Sequence, residues 1–193
     1  MTRSAPIYTR SHELLSRTES RLLIVDVQEK LVPLIASAAR MTSNCRRLIQ
    51  GAKIVGIPVF ATEQYPTGLG STVGPLKELL GEIPDKHRFS CAEILGWGLA
   101  AEQADNRYQI VVAGIEGHVC VLQTVFDLLA AGYQVFVPAD AIASRGELDW
   151  KIALDRMAAG GAVITTTESV LFEWCEQSGT PEFKQISHLI KQG

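Results

Sequence analysis

What the chain lacks narrows its class. No run reaches the roughly 18 uninterrupted apolar residues that a membrane span needs, and residues 1–20 carry no apolar middle of the kind found in a secretory signal. That opening contains Arg and Ser, as organelle transit segments do, yet Glu13 and Glu19 count against one. The four cysteines, Cys45, Cys91, Cys120 and Cys175, form no CxxC pair and have none of the Cys/His spacing that structural zinc requires. They read as free thiols, which suit a reducing compartment, so a cytoplasmic location is expected.

Dense clusters of Lys and Arg are missing too, and the formal net charge is only −3, which leaves no footprint for a run of phosphates. The expected partner is a small-molecule substrate, with no nucleic acid and no membrane. Internal repeats, low-complexity tracts and linker compositions are absent. With 47% hydrophobic and 20% charged residues, the 193-residue chain reads as one globular domain over 1–193, of which 1–20 form an N-terminal extension.

What is present is an alternation of short apolar, β-rich runs with helical stretches. The runs cover residues 22–27, 58–62, 109–115, 134–138 and 162–166. Most are continuously apolar, as strands buried on both faces of a parallel sheet are. Between them, residues 41–55 put Leu48, Ala52 and Val55 on one helix face before Gly56 and Pro58 end it. Residues 118–131 turn Val121, Val125, Leu128 and Leu129 inward and stop at Gly132. Further helices are expected at 147–159, opening with acids, and around 181–191. The fold class is therefore α/β: a single doubly wound, mostly parallel β-sheet with helices on both faces, in a Rossmann-like three-layer α/β/α arrangement. Residues 63–85 are rich in Gly and Pro and read as irregular, with one short helix near 76–80. That stretch follows a strand end, where open α/β sheets place their ligands, and is expected to wall the site.

Three strand ends carry candidate chemistry: Asp26 in LLIVDVQ, Lys86 in DKHRFSC, and Cys120 beyond VVAGIEGHVC. In a parallel sheet these ends meet at one edge, so the three side chains are expected to converge. Each has an ordinary alternative: Asp26 a strand-end cap, Lys86 a solvated cation, Cys120 a core filler. Cys120 falls in the first turn of its helix, after Gly114 and Gly117. A helix N-terminus and a nearby ammonium both favour thiolate over thiol, so a lowered thiol pKa is expected.

Taken together, Asp26–Val27–Gln28, the K-x-x-F-S element from Lys86 to Ser90, and AGIEGHVCV from Ala113 to Val121 resemble the isochorismatase-like cysteine hydrolase superfamily. ATEQYPTGLG, residues 61–70, is similar to the branch of isochorismatase domain-containing proteins. True nicotinamidases carry a metal-binding Asp/His arrangement after the second strand, which is absent here, so no metal and no cofactor are expected. The resemblance implies an Asp26–Lys86–Cys120 triad that cleaves a small amide through a cysteine thioester. It implies a non-proline cis peptide at Ile115–Glu116, an oxyanion hole from the backbone N–H groups of Glu116 and Cys120, and a homo-oligomer. Isochorismatases proper cleave an enol ether and generally lack the nucleophilic cysteine, so Cys120 argues against that reaction. Glu116 replaces a usually small residue, which leaves its carboxyl either entering the pocket or turned from it. Glu63, Gln64, Tyr65 and His118 are candidate pocket residues, and His118 and His87 are rival bases. Asp140 is expected to brace loops. Two other classes stay open: a redox-reactive thiol protein, and a binding domain without turnover.

Overall fold

The apolar run Ser20–Val25 (β1) lies in the middle of a seven-stranded sheet in the computed structural model, which describes residues 9–191. After it come α1 (Ala38–Val55), β2 (Val59–Gln64), α2 (Pro66–Leu69), α3 (Gly74–Lys77), β3 (Asp85–Lys86) and α4 (Ala92–Leu95). The second half runs β4 (Gln109–Ile115), α5 (Leu122–Ala130), β5 (Gln134–Pro138), β6 (Ile142–Ala143), α6 (Glu147–Ala159), β7 (Val163–Thr165), α7 (Thr167–Cys175) and α8 (Pro181–Lys191). The strand order is β3-β2-β1-β4-β5-β7, with β6 beside the end of β4, and every strand pairing is parallel.

All residues of β1 and β4 are buried, because helices cover both faces of the sheet. Side chains alternate along the strands. Leu22, Ile24, Val111 and Ala113 join the core under α1, α7 and α8, with Leu48, Trp174 and Ile186. Leu23, Val25 and Val112 join the opposite layer, with Val125 of α5 and Met157 of α6. The doubly wound three-layer expectation is met.

Local boundaries differ from the sequence reading where local pattern is weakest. β1 stops at Val25, and the next residue takes a positive φ rather than extending the strand to residue 27. β2 runs on through Glu63 and Gln64, so the irregular stretch begins two residues later than expected. Its core-anchored helix is Gly74–Lys77 rather than 76–80, because Pro75 suits a first helical turn and Leu76 is drawn into the core. Helix α7 was hidden in the run VLFEWC: Val170, Leu171 and Trp174 bury one face in the α1 layer, and Thr166 accepts from Ser169 N at 3.3 Å as its cap.

Gly114 decides how closely β1 and β4 approach. Its φ is +116°, and a Cβ there would stand 2.1 Å from Val25 O. Only glycine tolerates that backbone and that contact. At the opposite edge of the sheet, part of the extension is tied down: Leu15 is buried, its N–H donates to Glu173 Oε2 at 2.8 Å, and Arg10 Nη2 donates to Glu173 O at 2.9 Å. Residues 1–8 lie outside the described residues. Among the described residues no helix is long and apolar enough to cross a membrane.

Candidate active site

The chain leaves β1 toward β2 and β3 but leaves β4 toward β5 and β7, so the sheet has its topological switch point between β1 and β4. Helices depart to opposite faces there and open a crevice at the strand ends. Asp26 caps β1 on one side of it. The turn after β4 forms the other side.

Asp26 is fully buried and has a φ of 51°, in the left-handed region that Asp adopts more readily than most residues. Its Oδ2 accepts from Lys86 Nζ at 2.8 Å, and its Oδ1 accepts from Thr62 Oγ1 at 2.8 Å. Lys86 sits on β3 opposite Gln64 of β2. Its ammonium also meets Gln64 Oε1 at 2.7 Å and the carbonyls of Phe89 and Arg88 at 2.8 and 3.1 Å. A buried charge survives when it is paired and its hydrogen bonds are filled, and both conditions hold.

Cys120 lies in a π-helical turn, Gly117–Val121, that leads into α5. Its thiol is buried near enough to Asp26 and Lys86 for both charges to act on it. Three remote segments thus converge: Asp26 touches Lys86, and both charges act on the Cys120 thiol. The expected thiolate is a correction. Burial, and next the Asp26 charge, push the Cys120 thiol well above the usual range, and Lys86 only partly opposes them. That direction favours the neutral thiol over the thiolate.

The Ile115–Glu116 peptide is cis. The Glu116 carboxylate is bound by Arg145, whose backbone N–H donates at 3.0 Å and whose Nε lies 3.1 Å from both oxygens. Of the other candidate residues, Glu63 is buried with Oε1 accepting from Thr72 N at 2.6 Å, which holds the loop after β2. Gln64 links Lys86 to the His87 carbonyl. Tyr65 is half exposed, its ring 5.5 Å from that of His87. His118 Nδ1 lies 3.1 Å from Ser144 Oγ. Neither histidine takes the Asp26 position. Asp140 accepts from Thr167 N at 2.8 Å and so braces two loops.

Some residues at the site were given no role of their own in the sequence reading, Gln28 of the Asp26–Val27–Gln28 motif among them. Gln28 is buried and bonds both Gln64 N and Gln64 O, at 2.8 and 3.0 Å, and Gly70 O at 2.7 Å. Its membership of that motif was the signal that could have found it. Thr62 and Arg145 had no local signal, since each acts across distant segments. Two cavities flank the crevice: one of about 370 Å³ beside Lys86, His87 and Ser90, and one of about 260 Å³ beside Ser144, Arg145 and Trp150. Among the described residues, no group of three or more His, Cys, Asp or Glu converges as a metal would require.

A family description, isochorismatase domain, matches residues 20–169. Isochorismatase domain-containing protein 1 of Salmo salar is 42% identical over 86% of this chain, and the chain spans 59% of that relative's length. Isochorismatase domain-containing protein 2 of Danio rerio is 36% identical over 91% of this chain and 89% of the relative. A solved structure titled MAR1 ribonuclease, from Caenorhabditis elegans, is 38% identical over 92% of both chains with a TM-score of 0.83. With these matches and the fold, the chain belongs to the isochorismatase domain family.

Proposed function

We propose that the protein is a cysteine hydrolase that cleaves the C–N bond of a small amide. The observation that carries the reading is the buried Asp26 carboxylate, paired with the Lys86 ammonium at 2.8 Å and near enough to the buried Cys120 thiol for its charge to act on it. The neutral thiol is activated only as the substrate is attacked. Asp26 takes the thiol proton while the sulfur bonds to the carbonyl carbon, and the oxyanion is met by the N–H groups of Glu116 and Cys120. Asp26 then gives that proton to the leaving nitrogen, and an amine departs to leave a thioester. Water loses a proton to Asp26, attacks the thioester and releases the acid, and the sulfur recovers its proton. Lys86 offsets the negative charge throughout. Glu63, Gln64, Tyr65 and His118 shape the pocket. No metal or cofactor is called on.

Ammonia or amine release across a panel of small amides tests this reading. Hydrolysis that disappears in Cys120→Ser supports it, and hydrolysis unchanged in that variant sinks it. A second reading, phosphodiester cleavage, is favoured by the 38% identity to the protein titled MAR1 ribonuclease. It would use the Asp26–Lys86 pair as acid and base without the sulfur. Cleavage of labelled RNA by both wild type and Cys120→Ser would favour it. The low net charge argues against a nucleic acid and for a small substrate. Assembly into a homo-oligomer belongs to the same reading: Leu148 and Ile152 of α6 stand exposed, one helical turn apart, as a face that another copy would cover. So does a cytoplasmic location, supported by four buried free thiols.

A further inference from the structure

A base must present one lone pair to its thiol, and the buried groups behind Asp26 fix how its carboxylate sits. Thr62 lies on β2 in register with Val25, the residue before Asp26, and is 1% exposed. Its Oγ1 is 2.8 Å from Asp26 Oδ1 and 3.3 Å from Cys91 Sγ. A hydroxyl has one hydrogen and two lone pairs, and a carboxylate only accepts. The Thr62 hydrogen is therefore committed to Asp26, which leaves the Cys91 thiol as donor to Thr62. Burial, and next the Asp26 charge, push that thiol up to about 11, so it keeps its hydrogen at neutral pH. Cys91 is also anchored from behind: its N–H donates to Thr124 Oγ1 at 2.9 Å, and Thr124 in turn donates to Cys120 O at 2.7 Å. One residue thus ties the acid on one side of the crevice to the nucleophile turn on the other.

We propose that Cys91 and Thr62 are positioning residues for the reaction, forming a one-way donor chain from the Cys91 S–H to the Thr62 O–H to Asp26. With Lys86 on Oδ2, the chain on Oδ1 fixes the carboxylate plane and leaves a lone pair for Cys120. The inference rests on the reading of Asp26 as the base of Cys120. It predicts a chemical signature distinct from packing, because serine keeps a donor at either position while valine or alanine does not.

The test needs no substrate: the rate at which iodoacetamide labels Cys120, followed by peptide mass spectrometry from acid to neutral pH. Wild type should show labelling that falls away toward acid pH, and Asp26→Asn should abolish that acidic limb. Thr62→Val should move that limb up by about one pH unit, since a carboxylate that loses a donated hydrogen bond holds a proton more tightly. Thr62→Ser should stay near wild type. Cys91→Ala should shift the limb the same way by less, and Cys91→Ser should restore it. Thermal melts confirm that each variant folds. A limb abolished by Asp26→Asn but unmoved by Thr62→Val overturns the proposal and leaves the base intact. Equal shifts in Cys91→Ser and Cys91→Ala assign Cys91 to packing and overturn its part. A limb unaffected by Asp26→Asn overturns the underlying reading.

Discussion

Lys86 Nζ and Asp26 Oδ2 lie 2.8 Å apart with side chains 3% and 0% exposed, so both charges have left water together. Desolvating such a pair costs several kcal/mol per ion, and apolar residues of similar volume often stabilise as well. In the proposed mechanism its worth lies in what it offers Cys120: a buried carboxylate with an ammonium held against it.

Neutralising the acid should therefore cost both turnover and stability. Asp26→Asn is expected to lose at least about 10³-fold in turnover, the scale of a removed general base. It leaves Lys86 without a counter-ion, although Gln64 and two carbonyls still accept from it. The variant should fold but be weaker by about 3 kcal/mol, near the lower end for a broken buried pair. Urea unfolding measures the second effect independently of the first.

Much of this was legible in the sequence. Continuously apolar strands announced a sheet covered on both sides, and parallel strands bring their carboxyl ends to one edge, so Asp26, Lys86 and Cys120 were foreseen as neighbours. Their protonation was not. The argument for a thiolate counted a helix N-terminus and a nearby ammonium, whereas burial and the Asp26 carboxylate from another strand decide the direction. Thr62 was unreadable for the same reason: its role exists only because β2 lies beside β1. Strands β3 and β6 have two residues each, too few for any periodicity to appear.

Stability should fall in alkali. Burial raises the thiols of Cys45, Cys91 and Cys120, the second to about 11. In the unfolded chain these thiols ionise near the ordinary value of about 8.5, so the unfolded state sheds protons first as pH rises. Their stabilisation is complete below that pH and is lost as pH climbs toward the folded values. Each contributes a slope of about 1.4 kcal/mol per pH unit in that window. Urea midpoints measured at rising pH should drop steeply above about 8.5, and Cys45→Ala should flatten the drop.

The close approach of β1 and β4 gives a sharper structural expectation. Gly114→Ala adds a carbon 2.1 Å from Val25 O at a φ of +116°. Backbone on both sides prevents relief, so a loss above about 4 kcal/mol is expected. Circular dichroism melts check it, and a variant within 1 kcal/mol of wild type, about the centre of ordinary substitutions, would contradict the strand spacing.

The central claim is that the Cys120 sulfur becomes acylated. Incubation with a hydrolysed amide, rapid acid quenching and peptide mass spectrometry should reveal the acyl mass on Cys120 in wild type and no such mass in Asp26→Asn. Steady amide hydrolysis with Cys120 never carrying the acyl group, and with Cys120→Ser turning over at the wild-type rate, would contradict the account.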